Sequence, residues 1–446
     1  MRWGYWIAAL GLAGPLTAQT SLTIYNDGRV LARRTVPQAV PAGTSNARLS
    51  LGLLDPGSLF AMDSGVAVLG ASYDAAVDEA NTLRRAIGQT LRFVVSRGDT
   101  ITATILGVNP ERYRLADGRV VFQRPGMALY PADLVLVAPT LAVALRSATA
   151  RPTLRLGYFT SGASWHANYT VVLGRASAQV SGQAEIPSET LRERDVEVQL
   201  LAGSVGRDVT AKAMTDRLQR LALAEAAPQA PADEQQVGEA HLYTIPGRVT
   251  LEPGISTSVA LFEPATAAWE RAYVVPGQVN FYGPLQQYGN EPARVPVNVW
   301  YTLKRTARSG FGDVPLPAGT WRLYQGDDAG RLQLIGEAGA GHTAAGTDVR
   351  LAAGSAFDLT ATRVQVSYST RRDSLRTIAT ADYRVTIANA KDSTVTVDVL
   401  EERGGEWSVL SSSVPAERIS STRTRFRVRV PARGEAMLTY RVRVIW

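Results

Sequence analysis

The chain contains no cysteine, which removes disulfides, thiol catalysis, thiolate metal sites and a lipid-modified N-terminal cysteine at one stroke. Histidine is nearly absent too: His166, His241 and His342 stand far apart, without HExxH or HxH spacing, so a transition-metal centre would require distant residues to converge. Lysine occurs only as Lys212, Lys304 and Lys391, so the formal charge of +7 is carried by arginine. A GC-rich coding background produces that bias without a polyanionic partner, and net charge speaks to association and not to fold. Beyond the N-terminus no stretch is long and apolar enough to span a membrane as a helix. No motif calls for a cofactor or for nucleic acid.

What is present begins with "MRWGYWIAALGLAGPLTAQT", one arginine, an apolar run and small residues in the order of a secretory signal, with cleavage expected after Ala18. Export to the periplasm, the outer-membrane periphery or the medium follows as an expectation. The remainder is too long for one ordinary core. Alternation punctuated by turns predicts a mainly β protein, built of several antiparallel sandwich or small-barrel units with few short helices. Residues 19–90 form an N-terminal hairpin region, with Asn26-Asp27-Gly28 as its turn, and one short helix in "DAAVDEANTLRRAIG" ending at Gly88. Residues 91–137 read as a small barrel or meander with turns at Gly98-Asp99, Asn109-Pro110, Asp117-Gly118 and Pro125-Gly126. Two sandwich parts are expected over 138–223 and 241–360, with a helical patch at Met214, Leu218 and Leu221. Between the two parts lies a mobile Ala/Pro linker or loop, 224–240. Residues 361–446 read as an immunoglobulin-like sandwich with "YRVTIANAKDSTVTVDVLEE" as an early hairpin.

Candidate chemistry is sparse, and no catalytic residue is assigned. In "GYFTSGASWHANYTVVL" strand alternation sends Trp165, Ala167, Tyr169, Val171 and Leu173 to one face and His166, Asn168 and Thr170 to the other, which leaves His166 as a candidate on the wetter side. "LLAGSVGRD" imitates a nucleophile elbow at Ser204 but lacks the α/β surroundings of one. Acids in "SETLRERDVEVQL" alternate with arginines, the pattern of a solvated edge. On "RTRFRVRV" and "TYRVRVIW", Arg425, Arg427, Arg429, Arg441 and Arg443 point away from Phe426, Val428, Val442 and Val444. If the two strands pair, these arginines form one outward ladder, either a solvated face or a patch for phosphate or uronate groups.

The stretches "RPTLRLGYFTSGASWHANYTVVL", "VEVQLLAGSVGR", "HLYTIPGRVTLEPGISTSVALF", "LPAGTWRLYQGDDAGRLQLIGEAGAGHTAAGTDVRLAAGSAFDLTATR" and "VPARGEAMLTYRVRV" resemble the exported bacterial proteins with the domain of unknown function 4139, the mucoidy inhibitor A-like family. The run with Leu316, Pro317, Gly319, Tyr324 and Gly330, continuing to Gly336-Glu337, is its most specific part. The chain departs from it at "IPSETLRER", where the family often has an N-x-[ST]-G turn, and in lacking a long N-terminal coiled coil. The resemblance implies a multi-part β protein of the envelope with no assigned catalytic residues. Three functions remain open at this level. One is a non-catalytic protein that binds or scaffolds envelope glycan, lipid or protein. The others are an envelope-polysaccharide hydrolase with a carboxylate pair and an outer-membrane β-barrel, suggested by alternation up to Trp446.

Overall fold

The computed structural model describes residues 20–96, 99–203, 233–237, 240–277, 285–306, 310–373 and 376–446. The signal segment, Ser204, the patch from Met214 to Leu221 and the turn at Gly98 lie outside them. Almost all regular structure is strand, with one α-helix and one 3-10 turn among the described residues, and no helix there is long and apolar enough to cross a membrane. The sheets are separate and follow open paths, so none closes into a barrel among these residues. The chain divides into two compact units.

The first unit comprises residues 20–165, 186–201 and 247–257. Its hairpin joins Thr20–Tyr25 to Arg29–Val36 through Asn26-Asp27-Gly28, where Gly28 takes φ +84° and its N–H donates to the Tyr25 carbonyl at 3.2 Å. A left-handed φ favours glycine, so the turn residue fixes the register and buries Leu22, Ile24, Val30 and Ala32 on one face. Thr20–Tyr25 also pairs in parallel with Glu193–Ala202. The short helix is Glu79–Arg85, capped by the Asp78 carboxylate, which accepts from the Asn81 N–H at 2.9 Å. Its Leu83, together with Ala86, packs with Phe93, Ile105 and Tyr113 in the core of a five-stranded meander in which Met127–Leu129 returns to pair with Thr90–Ser96.

In the second unit the His166–Leu173 strand lies between Ala178–Pro187, antiparallel, and Gly319–Gly326, parallel. The parallel pair brings Tyr169 over Trp321, with centroids 4.1 Å apart and planes at 13°, and Phe262 and Phe311 extend the stack. Gly319 makes this approach feasible: a Cβ there would stand 2.2 Å from the Ala167 carbonyl oxygen. The linker expectation needs correction at one end, because Asp233–Val237 is a strand paired with Ala240–Thr244; backbone hydrogen bonds hold a segment with little to bury. The rest of that linker, apart from Ala240, lies outside the described residues.

The C-terminal part of this unit is a two-sheet sandwich. One sheet runs in the order Val349–Ser355, Asn298–Leu303, Trp269–Val275, Val395–Glu402, Arg423–Val430, Ala416–Arg418. The other runs Ala293–Val295, Leu359–Asp373, Arg376–Asn389, Gly434–Ile445, Glu406–Ser412. Val397, Val399, Phe426 and Val428 from the first meet Val385, Leu438, Tyr440 and Val442 from the second in one buried core. Two expectations fall here. "YRVTIANAKDSTVTVDVLEE" is not a hairpin: Arg376–Asn389 and Val395–Glu402 belong to opposite sheets, and Asn389 Nδ2 holds the crossing by donating to the Ser393 and Pro431 carbonyls, each at 2.9 Å. Arg423–Val430 and Gly434–Ile445 do not pair either, because each sits in its own sheet with other neighbours. The alternating apolar residues of the final strand therefore face the sandwich core and not lipid.

Two substitutions test this packing. Gly319→Ala should cost about 2 kcal/mol in urea unfolding, because no side chain can yield to the clash with the Ala167 backbone. Arg305→Met should cost about 3 kcal/mol or more, since it removes the donor of buried Arg305 from the carbonyls of Phe311, Gly312, Val314, Ala344 and Thr347.

Candidate anion-binding face

Alternation separates the Trp165–His166 pair as the sequence indicates. Trp165 is 2% exposed, with its indole N–H donating to the Leu201 carbonyl at 3.2 Å. The His166 side chain is 52% exposed and joins a polar row across four strands. His166 Nε2 and Asn168 Nδ2 both lie 3.0 Å from the Glu185 carboxylate, Arg322 donates to Asn168 Oδ1 at 3.3 Å, and Arg322 Nε meets Glu337 at 2.9 Å. Each member is matched to a partner on the neighbouring strand. It is a solvated sheet face, which supplies neither an activated nucleophile nor a metal cage. Among the described residues no three His, Asp or Glu side chains converge as metal ligands.

The five arginines do not form one ladder. Arg441 and Arg443 lie on the outer face of one sheet of the sandwich, where Arg441 grips both oxygens of Asp382, at 2.6 and 2.9 Å. That bidentate contact and the Ser367 hydroxyl hold the Asp382 carboxyl below the usual aspartate range. Arg425, Arg427 and Arg429 lie on the outer face of the other sheet, because alternation sends Phe426, Val428 and Val430 inward. The sequence shows which way each side chain points but not which sheet its strand joins.

Sheet order adds what sequence reasoning missed. Arg350, on the opposite edge strand, alternates with buried Val349 and Leu351 and so projects onto the same outer face as Arg423 and Arg425. Its guanidinium stacks over Trp300, 4.4 Å from the ring centroid, and among the described residues no carboxylate lies within ion-pair distance of it. Between these arginines is a cavity of about 160 Å³ with a floor of Val274 and Leu400 and a wall at Ile419. Asp398 is its only acidic lining residue. The outward alternation of Arg350 was the available signal, but placing it beside Arg423 requires the parallel pairing of Tyr273–Val275 with Val397–Val399.

Charges on this face are unevenly matched. Arg423 Nε lies 2.6 Å from Glu402, and Arg425 lies 2.7 Å from Glu417 but 3.6 Å from Asp398. Arg427 reaches Glu417 only at 3.6 Å, and Arg429 has no ion-pair partner among the described residues. Burial pushes the Asp398 carboxyl above the ordinary aspartate range, against the pull of Arg425, Arg427 and Arg350, and Glu417 adds to the upward push. Burial likewise lowers the pKa of Arg350, and the neighbouring Arg423 and Arg425 charges lower it further. The arrangement can hold an oxyanion by bidentate guanidinium contacts. No family model matches the chain, and no curated protein matches it in sequence.

A carboxyl whose pKa is raised in the folded state favours folding while it is neutral, and that contribution is lost as pH rises through its folded pKa. Asp398→Asn should therefore raise the urea midpoint at neutral pH, and the advantage over the parent should shrink as pH falls through the carboxylate range.

Proposed function

We propose that the chain is an exported, non-catalytic envelope protein whose C-terminal sandwich binds acidic polysaccharide on the face carrying Arg350, Arg423, Arg425, Arg427 and Arg429. The observation that carries this reading is the arginine row beside the cavity. Alternate residues of one strand stand about 6.5–7 Å apart, so Arg423 to Arg429 present cations at regular intervals along a line. A row of that kind matches a linear polymer with repeating uronate or phosphate groups better than it matches a single lipid headgroup. Guanidinium suits both anions through paired N–H donors. The N-terminal secretory pattern supports the exported location, and the resemblance to the mucoidy inhibitor A-like proteins points to the same compartment.

Binding to an immobilised acidic polysaccharide, compared with a neutral one of equal length, tests the reading. Wild-type protein should be retained by the acidic polymer and released by salt, because the contacts are exposed ion pairs. The double substitution Arg427→Glu and Arg429→Glu should weaken retention at least about tenfold, as two attractions become repulsions. Equal retention on neutral polymer, or binding to anionic vesicles in place of the polysaccharide, would refute it.

A further inference from the structure

We propose that Asp398 gates this face: ionised, it serves the arginines as an internal counter-ion and repels an incoming anion; neutral, it yields Arg350 and Arg425 to an oxyanion on the ligand. The inference rests on the anion-binding reading above and adds its regulation. The geometry is that of a replaceable partner. Asp398 lines the cavity, yet its nearest guanidinium, Arg425, is 3.6 Å away and is held more tightly by Glu417. Arg350 stands at the rim over the Trp300 ring, with no carboxylate at ion-pair distance among the described residues. A cavity of about 160 Å³ far exceeds the roughly 10–15 Å³ that one water needs on the same measure, so a tetrahedral oxyanion fits with water beside it.

The charges that face Asp398 can be counted strand by strand. Arg423, Arg425 and Arg427 come from one neighbour, Glu417 from the edge beyond it and Arg350 from the far edge. Glu402, on the strand of Asp398 itself, is engaged by Arg423. Val274 is the uncharged residue in register with Asp398 on the other side, and Glu270 further along that strand is engaged by Lys304 at 3.2 Å. The strand between that one and Arg350 contributes Trp300, which carries no charge. Arg350, Arg423, Arg425 and Arg427 thus oppose Asp398, Glu402 and Glu417, leaving one positive charge in excess, and protonation of Asp398 leaves two. Arginine does not deprotonate in this range, so the carboxylates alone set the response to pH. Burial of Asp398 places its transition above that of an ordinary aspartate, so the face becomes a better anion receptor as pH falls through the carboxylate range.

Equilibrium dialysis of the full chain against radiolabelled inorganic sulfate, from about pH 4 to about pH 8, separates the possibilities because sulfate keeps its charge while aspartate does not. Wild-type affinity should rise about tenfold on acidification. Asp398→Asn should bind at neutral pH as tightly as wild type does in acid, with a flat profile, whereas Asp398→Glu, which retains a titrating carboxyl, should keep a pH step. Arg350→Met should lose binding throughout while its circular dichroism and thermal unfolding stay those of wild type. A pH-independent wild-type affinity, or an Asp398→Asn profile equal to that of wild type, would overturn the gate and leave the anion-binding face standing. Absence of sulfate binding by wild type at every pH would overturn both.

Discussion

One buried guanidinium organises the second unit. Arg305 is 3% exposed, yet it donates to the carbonyls of Phe311, Ala344 and Thr347 at 2.8, 2.9 and 3.3 Å and also reaches those of Gly312 and Val314. Its own N–H donates to Asp348 at 3.0 Å. Two segments far apart in sequence are thereby tied to one side chain, one entering the hairpin of Gly319–Gly326 and Leu332–Ala340 and one leaving it. Buried carbonyls need donors, and one planar cation with five N–H groups serves several at once. Between these anchors Tyr169 and Tyr243 donate to the Pro317 and Pro315 carbonyls, each at 2.8 Å. The loop that presents Gly319 to Ala167 is therefore fixed from both sides, and the parallel pairing at the centre of the sheet depends on it. Arg350 follows Asp348 by two residues, so the same anchor also steadies the strand that carries it.

The sandwich treats its interior and exterior charges in opposite ways. Inside, Glu401 is fully buried between the Tyr440 hydroxyl at 2.6 Å and Arg403 at 2.5 Å, while Gln365 donates to the Tyr383 hydroxyl at 3.1 Å. Burial pushes the pKa of the Tyr440 phenol well up, and the Glu401 carboxylate adds to it, so the phenol stays a donor. Breaking such a pair strands a charge in a poor solvent, which specifies register: a slip of one residue would expose this network and bury the outer arginines. Outside, the arginines remain solvated and only partly matched, so they are available to a ligand. A core that is rigid at this end holds Asp398 and Leu400, three residues and one residue before Glu401, in their places on the outer surface.

Much of this was legible because strand alternation and turn chemistry are local. The Asn26-Asp27-Gly28 hairpin, the helix before Gly88, the inward Trp165 and outward His166, and the inward Phe426 and outward Arg425 follow from periods of two or from a glycine with positive φ. Sheet membership is not local. Val385 and Val397 alternate in the same manner, yet they lie in opposite sheets, because a sandwich buries an alternating strand equally well in either layer. The arginine rows separate for the same reason. Arg350 and Asp398 meet only through strands that are remote in sequence, and Arg305, which lies in a segment without an alternating pattern, gives no sign in the sequence of the carbonyls it serves.

The position of Gly434–Ile445 has a consequence for the order of events in folding. This strand is internal in its sheet, paired on one side with Arg376–Asn389 and on the other with the edge strand Glu406–Ser412. The opposite sheet depends on a parallel contact between Tyr273–Val275 and Val397–Val399, which closes a loop of more than a hundred residues. Neither layer is complete without strands that follow Leu359, so the strand around Tyr273 keeps its apolar face exposed until Val395–Glu402 pairs with it and the opposite sheet covers it. Folding of the sandwich is therefore governed by contacts between strands remote in sequence, which slows it and leaves its early strands open to aggregation until their partners arrive.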